Sequence, residues 1–231
     1  MRVAIVENSR VTHHGLVGVA LHERAALIDQ WRPWTGQDLP QDPDADALIV
    51  FGGEQSATDD HTHPYLPDLA RLMAAYTAAD KPVLGICLGS QLLARAYGAK
   101  NQLGTAPEFG WVDVGLTDEG RADPVLSVLP ETFPIFQWHS DTFTLPQGAV
   151  HLASNDAARH QAFRIGRATY GTQFHFEASR AVVADWLNQF PDLVDRMAPG
   201  WADRHTALAR SCGAAADAHG LALARAWVAL I

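Results

Sequence analysis

The chain has 231 residues, and its 17 Lys plus Arg against 26 Asp plus Glu give a formal charge of −9. An acidic chain without a basic run is a poor nucleic-acid binder, and no apolar stretch approaches the ~20 residues of a membrane span. Two cysteines are too few for a disulfide framework, and the first apolar run is too short for a secretion signal, so we expect a cytoplasmic enzyme.

The first half of the chain alternates short apolar runs with helical patterns. The runs predict strands at 3–6, 26–31, 47–51 and 83–86, and the patterns between and after them predict helices at 15–23, 65–79 and 90–97. This alternation favours an α/β fold with a mostly parallel sheet flanked by helices.

The second half of the chain shows a different pattern. Short strand-like pieces separated by glycine and proline turns predict a small antiparallel portion; they lie at 111–116, 135–138, 150–153, 161–165 and 169–174. A helix is predicted at 178–190, and the Ala- and Leu-rich tail at 202–231 predicts two helices broken near Gly213. We therefore expect one domain at 1–190 with a helical extension, 191–231, packed on it.

The most informative segment is a glycine-flanked cysteine that follows a predicted strand. Gly85 and Gly89 flank Cys87 at equal spacing, as in a nucleophile elbow, where a sharp strand-to-helix turn leaves no room for Cβ atoms. A thiol at a helix N-terminus is favoured as a thiolate. A buried structural cysteine is the alternative, and the two flanking glycines favour the nucleophile.

A nucleophilic cysteine needs a base, and the base needs a group that orients it. His175 and Glu177 are two residues apart at the end of a predicted strand, so their side chains project from the same face. A carboxylate in that position can fix the imidazole tautomer and support its positive form. The spacing therefore predicts a Cys-His-Glu arrangement.

Together, Gly-Ile-Cys-Leu-Gly-Ser-Gln at 85–91 and Gln-Phe-His-Phe-Glu at 173–177 resemble the class I glutamine amidotransferases. Phe-Gly-Gly at 51–53 is similar to the oxyanion strand of that family. Glu-Phe-Gly-Trp at 108–111 and Gln-Trp-His-Ser-Asp at 137–141 resemble the Glu-x-Gly-Trp and Trp-His-Gly-Asp of its GMP-synthase-like branch. The likeness runs from the N-terminus to about residue 190.

This resemblance implies a flavodoxin-like fold and a role for each matched residue. Cys87 is implied as the nucleophile, His175 as the group that takes and returns a proton, and Glu177 as the group that orients His175. The backbone N–H groups of Gly53 and Leu88 are implied as the oxyanion hole. The implied substrate-binding residues are Gly52, Gln91, His139, Ser140 and Asp141.

The sequence departs from the family pattern at three positions. Ser140 stands where the branch usually has glycine, so a positive φ there would strain the backbone. Glu54 stands where proline is common and adds charge beside the oxyanion strand. Phe176 also replaces a frequent proline, which should change only local stiffness.

The implied activity is hydrolysis of L-glutamine to glutamate and ammonia through a cysteinyl thioester, without a cofactor or a metal. Nothing in the chain resembles a synthetase domain, so the resemblance implies that a separate synthetase subunit uses the ammonia. One alternative is a stand-alone γ-glutamyl peptidase that acts on a larger γ-glutamyl amide. Another is a regulatory subunit without activity, against which the intact set of site residues argues.

Overall fold

The computed structural model describes residues 1–231 and contains one nine-stranded sheet. Its order is β2-β1-β3-β4-β11-β10-β9-β6-β7, in which the first five strands are parallel and the others antiparallel. The bounds are β1 Arg2–Val6, β2 Leu27–Trp31, β3 Ala47–Val50, β4 Val83–Ile86, β6 Glu108–Leu116, β7 Thr132–His139, β9 Val150–Ser154, β10 Ala162–Ile165 and β11 Thr169–Thr172, while β5 Asn101–Gln102 pairs separately with β8 Thr142–Phe143. The predicted α/β fold is confirmed, and most of the antiparallel portion continues the main sheet.

Eight α-helices cover the sheet. They are α1 Gly15–Glu23, α2 Leu66–Ala78, α3 Leu88–Ala96, α4 Asp118–Ala122, α5 Arg180–Gln189, α6 Pro191–Met197, α7 Trp201–Leu208 and α8 Ala214–Val228. Buried residues of α1 and α8 share one core with the sheet, and those of α2 and α3 share a second core. None of these helices combines the length and the apolar character needed to cross a bilayer.

The continuous apolar run of β1 follows from its place between these two cores. Val3 and Ile5 belong to the core with α1 and α8, whereas Ala4 and Val6 belong to the core with α2 and α3. All four side chains are 0% exposed. A strand covered on both faces needs apolar residues at successive positions, which is why β1 does not alternate.

The tail differs from its prediction because Gly213 does not break it. The segment Ala209–Gly213 is a wide helical turn that joins α7 to α8 without interruption. A Cβ at Gly213 would lie 2.9 Å from Cγ of Arg180 and 3.0 Å from the Trp111 ring. The glycine therefore serves close packing rather than helix termination.

Three further elements differ from the predicted ones. Helix α4 was not predicted; its Thr117 cap accepts a hydrogen bond from the Gly120 N–H at 2.9 Å. Helix α6 was not predicted either, and β6 begins at Glu108 rather than at residue 111. In the tail, Leu223 and Trp227 of α8 are buried in the main core. The division of the chain at residue 190 stays a prediction.

Candidate active site

Segments that follow neighbouring parallel strands meet at one edge of the sheet. Asn8 follows β1, Gly52 follows β3, Cys87 follows β4 and His175 follows β11. Strands β1, β3, β4 and β11 are adjacent and parallel, so their carboxyl ends share one edge. This is where open α/β sheets bind ligands.

Cys87 lies at the turn between β4 and α3 with φ 52° and ψ −109°, a conformation that residues with a Cβ rarely adopt. Its N–H donates to the Thr172 carbonyl oxygen at 2.8 Å, and its carbonyl oxygen accepts from Ser90 N at 2.9 Å. These bonds hold the turn from both sides. The strained backbone points to a functional constraint on this residue.

The two flanking glycines are required by close backbone approach. A Cβ at Gly85 would lie 2.4 Å from the Gly89 carbonyl oxygen, and a Cβ at Gly89 would lie 2.1 Å from the Val50 carbonyl oxygen. Both contacts are with backbone, which cannot move aside as a flexible side chain can. The elbow predicted from the glycine spacing is therefore present in the backbone.

His175 stands between Cys87 and Glu177. Its Nδ1 lies 2.7 Å from Oε1 of Glu177, and both His175 and Cys87 line the same cavity. A Cβ built on Gly52 would lie 3.1 Å from Cε1 of His175 and 3.4 Å from Cβ of Cys87, so both side chains lie beside Gly52. The backbone N–H of His175 donates to the Phe136 carbonyl oxygen at 2.8 Å and fixes the segment against β7.

Burial and charge act in opposite directions on His175. Burial alone lowers the pKa of His175, but the charges of Glu177 and Cys87 and the hydrogen bond to Glu177 raise this pKa well above 6.5. Oε2 of Glu177 is buried without a hydrogen-bond partner. His175 is therefore placed to exchange a proton within the cavity that Cys87 lines, and a thiolate is the form of cysteine that attacks a carbonyl carbon.

We expect Glu177→Gln to lower the pKa of His175, because the neutral amide removes the charge that offsets burial. Since the folded-state pKa is raised in the wild type, the stability contributed by charged His175 is complete below about pH 6.5 and is lost as the pH rises through that pKa. In Glu177→Gln this loss should occur at lower pH. An NMR titration of the His175 ring in both proteins measures the shift, and equal titration midpoints would contradict it.

The predicted oxyanion donors, Gly53 and Leu88, lie side by side. A Cβ at Gly53 would be 2.8 Å from Cδ2 of Leu88 and 2.9 Å from Cβ of Asn8. The Gly53 N–H makes no hydrogen bond within the protein, and the Leu88 N–H has no intrahelical acceptor because Leu88 begins α3. Asn8, which the sequence did not single out, donates from Nδ2 to the Phe51 carbonyl oxygen at 2.8 Å and holds the glycine segment.

A polar cluster lies on the α3 side of the site. Nε2 of Gln91 donates to the Asp141 carbonyl oxygen and to Oε1 of Gln173, each at 3.3 Å. The Asp141 carboxylate accepts from Ser56 Oγ at 2.5 Å and from Gly104 N at 2.8 Å. Asp141 therefore connects three separate loops. The sequence motif that contains Asp141 did not predict these contacts.

His139 does not direct its imidazole into the site. Its Nε2 lies 3.1 Å from Oε2 of Glu108, and its Nδ1 lies 3.1 Å from the Asp141 carbonyl oxygen. The Glu108 carboxylate also accepts from Gln161 at 2.7 Å and from Asn155 at 2.6 Å. Through these hydrogen bonds, Glu108 and its partners hold the loop at residues 139–141 in place.

Ser140 is not in the left-handed region, since the only non-glycine residues with positive φ are Ala25, Asp80 and Cys87. The strain that a positive φ would have imposed on Ser140 is therefore absent. Its carbonyl oxygen accepts from Ala106 N at 2.9 Å, which secures the exposed loop.

We expect Glu108→Gln to raise KM for a substrate held by residues 139–141 about fivefold, with a smaller change in kcat. The amide NH2 would face N–H donors that now bond to the carboxylate. Leaving a buried donor without an acceptor costs about 1–3 kcal/mol, which would destabilise the present position of the loop. Steady-state kinetics measures this split. Asp123→Asn is the matched control, because Asp123 is a buried carboxylate bonded to Arg164 and Tyr170 away from the site. Equal KM values in both variants would contradict the role of Glu108.

All the predicted site residues line, or lie beside, one cavity of about 270 Å³. The cavity wall includes Gly52, Gly53, Cys87, Leu88, Gln91, His139, Ser140, Asp141, His175 and Glu177. It also includes apolar side chains from α5 and α6 that the sequence did not assign to a site. Trp186 and Phe190 have the spacing of a core-facing helix, so only the tertiary structure identifies them as cavity residues.

The chain is similar to several known proteins. Residues 20–190 match the family model described as glutamine amidotransferase class-I. The chain is 32% identical over 181 residues to the glutamine amidotransferase-like protein YfeJ of Salmonella typhimurium, covering 77% of this chain and 76% of that protein. It is also 30% identical over 187 residues to one subunit of the glutamine-hydrolysing GMP synthase of Natronomonas pharaonis, covering 77% of this chain and 89% of the relative.

Two solved structures have the same fold over the whole chain. A glutamine amidotransferase from Methylobacillus flagellatus superimposes with a TM-score of 0.88 at 27% identity, covering 100% of this chain and 95% of that one. A glutamine amidotransferase from Thermotoga maritima gives a TM-score of 0.88 at 23% identity, covering 100% and 97%, and shows the fold alone.

Proposed function

Because the chain belongs to the class I glutamine amidotransferase family, we propose that it hydrolyses the side-chain amide of L-glutamine. The observation that carries this proposal is that Cys87 and His175 line one cavity beside Gly52, with Nδ1 of His175 held 2.7 Å from Glu177. Two unused backbone N–H groups lie in the same cavity. An amide is a poor electrophile, and these are the parts that its cleavage requires.

In the proposed reaction the Cys87 sulfur attacks the amide carbon, and the N–H groups of Gly53 and Leu88 stabilise the oxyanion. His175 donates a proton to the departing nitrogen as the C–N bond breaks, which leaves a glutamyl thioester and ammonia. His175 then removes a proton from water, which attacks the thioester and releases glutamate and the thiol. Glu177 keeps the imidazole oriented through both halves.

We propose that the glutamyl end is bound on the polar side of the cavity. Gln91 and the backbone at 139–141 lie there, while the side chains of His139 and Asp141 are engaged in holding the loop. Gly52 lies against both Cys87 and His175, so a side chain at that position would obstruct the substrate. Neither a cofactor nor a metal takes part in this scheme.

The ammonia is proposed to pass to a separate synthetase subunit. Relatives named as one subunit of a glutamine-hydrolysing GMP synthase support a division of labour between chains. A nucleophilic thiol with no disulfide partner suits a reducing compartment, and we propose the cytoplasm as its location.

The first test is glutamate release from L-glutamine by the purified chain. We expect release that depends on Cys87, at a rate above that of free glutamine in buffer. If the wild type released glutamate neither from L-glutamine nor from any larger γ-glutamyl amide, the proposal would be wrong. A regulatory subunit without activity would then be favoured.

A γ-glutamyl amide larger than glutamine is the second candidate substrate. The observation that favours it is the apolar part of the cavity next to Cys87 and His175. The same thioester chemistry would apply, with an amine rather than ammonia as the leaving group.

A further inference from the structure

The cavity has an apolar wall that hydrolysis of glutamine does not use. This apolar wall consists of Val11, Trp138, Trp186, Phe190, Leu193 and Met197. The polar groups around Gln91 and Asp141 suit the glutamyl end of a substrate, but the ammonia that leaves glutamine has no apolar surface to bury. A cleft that combines apolar and aromatic side chains with a few polar groups is typical of a site for a partly apolar ligand.

The apolar wall begins at the atoms where a leaving group would depart. The Trp186 ring lies 5.3 Å from the His175 ring, and the Trp138 carbonyl oxygen lies 3.8 Å from the Cys87 sulfur. The Trp138 ring packs edge-to-face on Trp186 at 5.4 Å and on Phe190 at 5.6 Å. These contacts fix the aromatic rings in place, so the wall is formed without a ligand.

The charge around the cavity restricts which amines fit. No lysine or arginine lines it. Glu54 is exposed at its edge and accepts a hydrogen bond from Ser9 at 3.0 Å, and the nearby His13 is already paired with Asp185 at 2.8 Å. A leaving group that carries a carboxylate would meet Glu54 with no lysine or arginine in the cavity wall to neutralise it, which costs binding energy.

Arg10 is a cationic residue near the cavity that does not line it. It lines a separate depression that shares Ser9, Glu54 and Gln55 with the cavity, and Asp59 lies in that depression as well. It shares that depression with two carboxylates and does not line the cavity itself. It does not make the leaving-group side favourable for an anion.

We propose that the apolar wall is a leaving-amine subsite for γ-glutamyl amides of apolar or aromatic amines that lack a carboxylate. This rests on the proposed function, because the thioester chemistry is the same. The Cys87 sulfur bonds to the γ-carbonyl carbon, the C–N bond breaks, and the amine leaves with a proton from His175. Water then cleaves the thioester, so that glutamate and the free amine are the products.

The experiment compares three substrates that differ in one feature at a time. They are L-glutamine, γ-L-glutamylphenethylamine and γ-L-glutamyl-L-phenylalanine, the last two differing only by a carboxylate. We expect kcat/KM for the phenethylamine compound to equal or exceed that for glutamine and to be at least about tenfold above that for the dipeptide. Glutamate release measures all three reactions in the same way.

Two variants test the residues. Phe190→Ala should lower the ratio of kcat/KM for the phenethylamine compound to that for glutamine about tenfold, because it removes part of the wall. Glu54→Gln should raise kcat/KM for the dipeptide relative to the phenethylamine compound. Leu27→Ala is the matched control, since Leu27 is 66% exposed on β2 and does not line the cavity.

The outcomes separate the two proposals. Hydrolysis of glutamine with no turnover of the phenethylamine compound would overturn the subsite and leave the proposed function standing. Equal kcat/KM for the dipeptide and the phenethylamine compound would overturn the requirement that the leaving amine lacks a carboxylate. Turnover of none of the three would overturn the proposed function, and the subsite with it.

Discussion

Replacing Cys87 by alanine is expected to abolish glutamate release, with a loss of at least about 10⁴-fold in kcat, because no other thiol lines the cavity. The fold should remain intact, because Cys87 is buried, with 7% of its surface exposed, and alanine is also small. Glutamate release and thermal unfolding of the same preparation test both parts. An unfolded variant would show that the role of Cys87 is structural.

Two controls sharpen this prediction. Cys212→Ala removes the other free thiol, which is half-exposed between α7 and α8, and should keep full activity. Cys87→Gly should be as inactive as Cys87→Ala but more stable by about 1–2 kcal/mol, because glycine adopts φ 52° without strain. For a chain of this size each kcal/mol corresponds to about 2–4 °C in Tm. Equal melting temperatures for the two variants would show that the elbow stores no strain.

Replacing His175 by alanine is expected to lower kcat by about 10³-fold, because both halves of the reaction need a proton transfer at this position. Glu177→Gln should cost less, about 10–100-fold, because Glu177 only orients and charges His175 through one 2.7 Å hydrogen bond. Steady-state glutamate release measures both losses.

The relation between the two losses distinguishes an orienting carboxylate from a reacting one. If Glu177→Gln reduced kcat as much as His175→Ala, the carboxylate would have a more direct role in proton transfer. The double variant should be no slower than His175→Ala alone, since Glu177 acts through the imidazole. His219→Ala is the control, because His219 is half-buried on α8 and does not line the cavity.

The chain by itself determined the parts of the site that depend on nearby residues. The elbow around Cys87 requires two glycines, because the absence of a Cβ allows close backbone contacts on both sides of the turn. The spacing of these glycines in the sequence therefore predicts the elbow. His175 and Glu177 share a side of an extended segment because their spacing is two. The apolar runs identified β1, β3 and β4 because each is buried on both faces.

Only the tertiary structure decided which distant residues meet. The imidazole of His139 contacts Glu108 because these two residues lie opposite each other in the β6–β7 pair. The register of that pair cannot be predicted from the sequence of either strand alone. The carboxylate of Asp141 is engaged by Ser56, which is 85 residues away.

The apolar wall is a second case in which tertiary packing decided the outcome. Phe190 has the periodicity of a helix that faces the core, and the same pattern serves equally well for a residue that lines a cavity. Helix α6 brings Leu193 and Met197 to the mouth of the site, and the chain carried no local signal for that position. Periodicity specifies which face of a helix is apolar, whereas the packing of the whole chain specifies what that face meets.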